Sequence, residues 1–305
     1  MYKSKHNFFN GNIKKILFKL NLKFSKCYFF FLNLGKIIIL SKKKNKKNIF
    51  KIPTDTYTQN LINNEKNGYL NADIKLRFNN LPRFTLLKYT KTCSIGKMNY
   101  LGKVKGNYFN FKKFYKELDQ RRLKKTNLKN YFNLLKKKNF FSINLFNKDF
   151  DRYYKKIINK YEHQEVIMSV SHGDFVHWNT AVYDKDYYVY DLEFFSKERI
   201  YIFDKIHWFF LPIIQKLYTY NFFYKSLNKY IFFYFIFYFL KRFIFSNNKK
   251  KQFNFYFILY LVEKENYYKN LLLHIKKNKN STNDYLNRTE FIKNFHTEFL
   301  KFLLR

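Results

Sequence analysis

Apolar positions alternate in several short runs of this chain and recur at helical spacing in others, so the pattern predicts a mixture of strands and helices. The runs 35–40 (GKIIIL) and 48–52 (NIFKI), joined by a Lys and Asn turn, predict a pair of strands. In TQNLINNEKNGYL, Leu61 and Ile62 fit an amphipathic helix that ends near Gly68. Residues 82–91 and 98–105, split by Ser94-Ile95-Gly96-Lys97, predict a second hairpin. Residues 180–183 and 187–190 are β-branched and aromatic runs joined by a polar turn and predict a third. Across 109–145 apolar residues keep helical spacing (Phe111, Phe114, Tyr115, Leu118, then Leu128, Tyr131, Phe132, Leu135). Beyond Asp204, aromatic-rich helical segments run to Arg305, with breaks at 246–248 and 276–284.

Composition narrows the class. With 305 residues and 47% hydrophobic content, the chain can fill the core of one large domain or two modest ones, and a disordered tail is excluded. A net charge of +39 raises a nucleic-acid, phosphate or anionic-membrane partner, although an AT-rich genome imposes the same excess of Lys, Asn, Phe, Tyr and Ile. Cys27 and Cys93 are too few for a disulfide framework and lack zinc-ribbon spacing, which fits a reducing compartment. The longest strongly apolar run, 230–240, is too short for a transmembrane helix. The N-terminus has no apolar core followed by a small-residue cleavage site, so a cytoplasmic location is expected.

Carboxylates are concentrated where the charge balance reverses. From Glu162 to Asp204 there are nine acids against three bases. A chain that only coats a polyanion gains nothing from such a cluster, because carboxylates repel phosphate unless a cation lies between them. Mg²⁺, held by one or two carboxylates plus substrate phosphates, resolves the conflict. Asn179 enters the first strand of the third hairpin and Asp191 leaves the second, so both lie at one open end of an antiparallel pair. With Asp174 five residues before Asn179, the set offers two oxygen ligands and one free carboxylate, which suits phosphoryl transfer.

The stretch HGDFVHWN followed by YVYDLE resembles the catalytic loop and metal-binding strand end of the aminoglycoside phosphotransferase and choline kinase superfamily, small-molecule relatives of protein kinases. The resemblance implies a two-lobed, protein-kinase-like α+β fold, with a small antiparallel-sheet N-lobe (1–106) and a larger, mainly helical C-lobe (107–305) hinged at Lys105-Gly106-Asn107. It further implies ATP and Mg²⁺ as cofactors and a small-molecule hydroxyl acceptor, with no obligatory nucleic acid. Carried over residue by residue, Asp174 is the catalytic base, Asn179 and Asp191 hold Mg²⁺, and His172 braces the loop. Glu193 is a metal ligand, a support for one, or a surface residue. Asp204, in IFDKIHWFF, opens the following helix and caps free N–H groups. A kinase-like N-lobe also needs a strand lysine for the α- and β-phosphates and a helical glutamate to orient it. Lys51 and Glu65 are the candidates. No glycine-rich loop precedes Lys51 and no Walker A motif occurs, which argues against a P-loop enzyme.

Two other classes compete. His172, Asp174 and His177 fit H-x-D-x-x-H, a pattern that could hold a metal for hydrolysis. The lysine runs 42–47, 136–138 and 249–251, interleaved with aromatics, could form a nucleic-acid or membrane surface without turnover. The intact Asp174, Asn179 and Asp191 argue against a kinase fold that has lost its activity.

Overall fold

A computed structural model describes residues 14–23, 27–31, 36–43, 46–76, 82–90, 93–100, 124–137, 148–183, 186–220, 229–244, 250–277 and 283–305. Five strands, β1 (Cys27–Phe31), β2 (Ile37–Lys43), β3 (Lys46–Ile52), β4 (Phe84–Lys88) and β5 (Ser94–Asn99), make an antiparallel sheet in the order β1-β2-β3-β5-β4. Ile37, Ile39, Phe50 and Ile52 turn one way across the pleat and bury against Ile16, Leu17 and Ile95. Residue 94–97 backbone, expected as a turn, is instead part of β5. Ile95 and Met98 are buried there, and the reversal falls earlier, where Tyr89 N–H and Thr90 N–H donate to Cys93 O at 2.9 and 3.0 Å.

Helix α1 (Thr56–Leu76) follows β3. Asp55 caps it, accepting from Thr58 N–H at 2.7 Å. The helix does not stop at Gly68 but runs eight residues further, to Leu76. Gly68 is a packing site rather than a terminator. A β-carbon there would lie 2.5 Å from Leu192 O and 2.8 Å from Leu192 Cβ, so glycine is what lets the helix lie directly on the turn beyond Asp191.

The larger lobe begins, among the described residues, with β6 (Lys124–Asn127), then α2 (Leu128–Lys137) and α3 (Lys148–Tyr161). Residues 124–127 (KKTN) fall inside the stretch expected to be helical but carry none of its apolar positions, and they form an edge strand paired with β7 (Glu165–Ser171). The expected hinge at 105–107 and the helical stretches at 109–123 and 138–145 lie outside the described residues. β8 (Thr180–Tyr183) pairs with β9 (Asp186–Val189) as the expected hairpin, one residue earlier on its second strand, and β10 (Ser196–Ile200) completes a β10-β7-β6 sheet. Four helices follow: α4 (Phe203–Thr219), α5 (Lys229–Ile244), α6 (Lys250–Lys277) and α7 (Asn283–Leu303). Their aromatics form the core, as where Phe233 stacks on Phe299 at 4.5 Å and Phe210 meets Phe257 edge-on at 5.2 Å. No helix among the described residues is long and apolar enough to cross a membrane.

Two separate cores result. One lies under β1, β2 and β3. The other joins α2 to α7 and also takes in Tyr57, Leu61, Ile62 and Tyr69 of α1, Phe84 of β4 and Met98 of β5.

Candidate active site

The segment after β7 turns sharply at Gly173, whose φ of +89° and contact with the Phe194 carbonyl leave no room for a side chain. Asp204 sits beneath this loop. Its carboxylate accepts from Ser171 Oγ at 3.0 Å, His172 N–H at 2.7 Å and Gly173 N–H at 3.0 Å. Asp204 lies in the first turn of α4, but the donors it satisfies belong to the loop and not to its own helix, which corrects the capping expected from sequence. His172 ties the loop to the strand end: its Nδ1 accepts from Asp174 N–H at 3.2 Å, and its Nε2 donates to Tyr190 O at 3.0 Å.

Asp174 is held at both oxygens. Asn179 Nδ2 donates to Oδ2 at 3.0 Å and to the Asp174 carbonyl at 2.9 Å. His207 Nε2 lies 2.8 Å from Oδ1, while its Nδ1 lies 2.6 Å from Tyr260 Oη. An ionised carboxylate only accepts, so the proton is on Nε2 and the Tyr260 hydroxyl donates to Nδ1. Burial, with the Lys264 charge, pushes His207 down to about 4, leaving the ring neutral at physiological pH. Burial opposes ionisation of Asp174, but the His207 hydrogen bond and nearby positive charge hold its carboxyl well below the usual carboxylate range.

A second group gathers at the end of β9. Lys51 Nζ, from β3, donates to both oxygens of Glu65 at 2.7 and 2.8 Å and to Asp191 Oδ1 at 2.8 Å. Lys36 pairs with Glu193 in the same way, and both partners are buried. Asp191 adopts a left-handed backbone, φ 68° and ψ 54°, a conformation that costs a non-glycine residue about 1 kcal/mol or more. Its N–H donates to Tyr69 Oη at 3.3 Å. Burial opposes ionisation of Asp191, yet Lys51 and Lys36 hold its carboxyl below the ordinary value. Lys51, although buried, is held well above the ordinary lysine value by Asp191 and Glu65.

Carboxylate oxygens of Glu65, Asp191 and Glu193 lie within 4.8 Å of one another. Hard oxygen donors at that spacing suit Mg²⁺. All three are ion-paired with lysines, Glu65 and Asp191 sharing Lys51, and of the three Asp191 is the one with a partly exposed side chain, at 26%. Asn179 uses its Nδ2 on Asp174, which leaves Oδ1 available to a cation. The histidine pattern does not assemble a site of its own: His177 packs edge-on to Trp178 and Trp208 at 4.7 and 6.3 Å, and the converging ligands among the described residues are all carboxylates.

Both groups open on one cleft of about 360 Å³, lined by Lys36, Asp174, Asn179, Asp191 and Glu193 together with side chains of α4, α6 and α7. Lys51 and Glu65 stand behind Asp191, and His172 and Asp204 lie under the Asp174 loop. Sequence reasoning missed Lys36, His207, Tyr260 and Lys264. His207 follows Asp204 by three residues on α4, so the two face the same loop, but no linear spacing ties it to Asp174, 33 positions earlier. Lys264, from α6, donates to Gly173 O at 3.3 Å and is 3% exposed. Burial, with Arg199 nearby, pushes it down to about 8.

A small antiparallel sheet over a larger helical lobe, with a cleft lined by Asp174 and Asp191, is a two-lobed protein-kinase-like fold, and solved small-molecule kinases share it. A choline kinase from Streptococcus pneumoniae superposes with a TM-score of 0.54 at 15% identity, over 95% of this chain and 98% of that one. An aminoglycoside 2'-phosphotransferase solved with GDP gives 0.53 at 11% identity, over 94% and 98%. An ethanolamine kinase from Plasmodium vivax gives 0.51 at 13%, over 92% and 86%. The amino-acid sequence matches no protein-family model and no curated protein.

Proposed function

We propose that the protein is a phosphotransferase that moves the γ-phosphoryl group of ATP to a hydroxyl of a small molecule, a sugar, amino alcohol or glycan precursor. The observation that carries this reading is the single cleft shared by Asp174, locked at both oxygens, and Asp191, bonded to the Lys51–Glu65 pair. The likeness to choline, ethanolamine and aminoglycoside kinases supports it at the level of fold. The catalytic residue is Asp174, which accepts the proton of the acceptor hydroxyl as that oxygen bonds to the γ-phosphorus. The bond from γ-phosphorus to the bridging oxygen breaks, ADP leaves with the electron pair, and Asp174 returns its proton to solvent.

Lys51, oriented by Glu65, binds the α- and β-phosphates, exchanging its contact with Asp191 for one with the nucleotide. Asp191 and the Oδ1 of Asn179 would hold Mg²⁺, with Glu193 beside them, and the cation would supply neutralisation of phosphate charge there. His172 and Asp204 hold the loop in shape. His207 keeps Asp174 ionised and aimed, since its neutral ring donates one hydrogen bond and adds no competing base. The test is a screen of ADP release from ATP and Mg²⁺ against a panel of small hydroxyl compounds. Asp174→Ala is expected to lower acceptor-dependent turnover by about two to four orders of magnitude while leaving the circular dichroism spectrum intact. Wild-type turnover by this variant would remove Asp174 from its role.

A further inference from the structure

Resting on that reading, we infer that the acceptor is an anionic hydroxyl compound, a polyol or sugar that carries a carboxylate or phosphate group bound by Lys264 and Arg288. The lining of the cleft combines two kinds of charged group. All its acidic side chains, Asp174, Asp191 and Glu193, lie at the reaction centre, and Asp191 and Glu193 are ion-paired with lysines there. From α6 and α7 the cleft also takes Lys264 and Arg288 with Tyr268 and Thr289, and from α4 Gln215, none of which adds a carboxylate. Neither cation has a carboxylate within 4.0 Å among the described residues. Lys264 spends one hydrogen bond on Gly173 O and otherwise faces the Tyr260 and Tyr267 rings, and Arg288 lies over the Tyr285 ring at 5.5 Å.

A lysine buried to this extent with no carboxylate within 4.0 Å is costly to keep charged, and an anionic group in the cleft would offset that cost. It lines the cleft beside the Asp174 loop, to which its bond with Gly173 O ties it. The guanidinium offers a planar fork suited to carboxylate or phosphate oxygens. A cationic acceptor would find these two positive groups and no acidic residue to pair with other than Asp174, Asp191 and Glu193. Tyrosine rings in the same lining give a polyol a flat surface to lie against.

The experiment compares four probes built on one six-carbon chain: gluconate, sorbitol 6-phosphate, sorbitol and N-methylglucamine. Binding to the full chain is measured by calorimetry at pH 7, and turnover by ADP release. Gluconate or sorbitol 6-phosphate is expected to bind at least about tenfold more tightly than sorbitol, with N-methylglucamine weakest. Which of the two anions leads separates a carboxylate from a phosphate acceptor. Lys264→Met and Arg288→Met should each reduce the preference, measured as the ratio of anionic to neutral affinity. Equal or better binding of sorbitol or N-methylglucamine overturns the inference. So does a preference that survives in both variants, since it would then come from the overall positive charge of the chain. Anion-selective binding that depends on the two residues, without ADP release from any probe, leaves the inference standing and counts against the proposed phosphotransfer.

Discussion

Gly68→Ala tests how tightly the small lobe is fitted to the turn beyond Asp191. Two effects oppose each other. Alanine in the middle of a helix is worth about 1 kcal/mol over glycine. Against it, the new β-carbon would stand 2.5 Å from Leu192 O, 2.8 Å from Leu192 Cβ and 3.1 Å from Phe195 Cβ. Two of these belong to one residue of a turn, so relief requires the backbone to move by the better part of an ångström. That turn is pinned on both sides, by Asp191 to Lys51 and Tyr69 and by Glu193 to Lys36. Overpacking costs about 1–3 kcal/mol, and a pinned backbone belongs at the upper end, which leaves a net loss of about 2 kcal/mol after the helix gain. Urea unfolding followed by circular dichroism reads the midpoint. A variant as stable as the wild type, or more so, would refute the close fit and restore Gly68 as an ordinary helix glycine.

Other changes probe the site directly. Asp204→Ala leaves the donors of Ser171, His172 and Gly173 without their acceptor; at about 1–3 kcal/mol each, urea unfolding should show a loss of at least about 3 kcal/mol. Asp191→Ala should abolish the Mg²⁺-dependent part of ATP binding in calorimetry, leaving affinity the same with and without the cation. The depressed Lys264 predicts a pH effect of definite sign. Folded Lys264 loses its proton near 8 while the unfolded chain keeps it to about 10.5, so between these values the unfolded state binds more protons and stability rises with pH. Lys264→Met should flatten that rise in a series of urea midpoints, and an unchanged slope would count against it.

The sequence was most legible where chemistry and local geometry coincide. HGDFVHWN and YVYDLE occupy a loop and a hairpin, so their spacing is local and short-range rules suffice to bring Asp174, Asn179 and Asp191 near one another. Lys51 and Glu65 lie on adjacent elements and were within reach of the same reasoning. The part of the cleft lined by α6 and α7 was not. Lys264 and Arg288 come from helices whose aromatic pattern reads only as core, and what brings them to the Asp174 loop is packing between segments 90 or more residues apart. Gly68 misled for a related reason: glycine signals both a helix end and a close approach, and only the partner turn separates the two. At 124–127 no apolar residue carried the helical period, and an edge pairing with β7 decided the conformation.

Glu65, Gly68 and Tyr69 are spaced i, i+3 and i+4, so one stripe of α1 carries the lysine's partner, the closest backbone contact and the hydroxyl that receives Asp191 N–H. The interior of α1 belongs with the large lobe's core, while β2 and β3 share a smaller core with Ile16, Leu17 and Ile95. Three separate restraints on the strand end at Asp191 therefore hang from a single rod, and any shift of α1 would disturb all of them together.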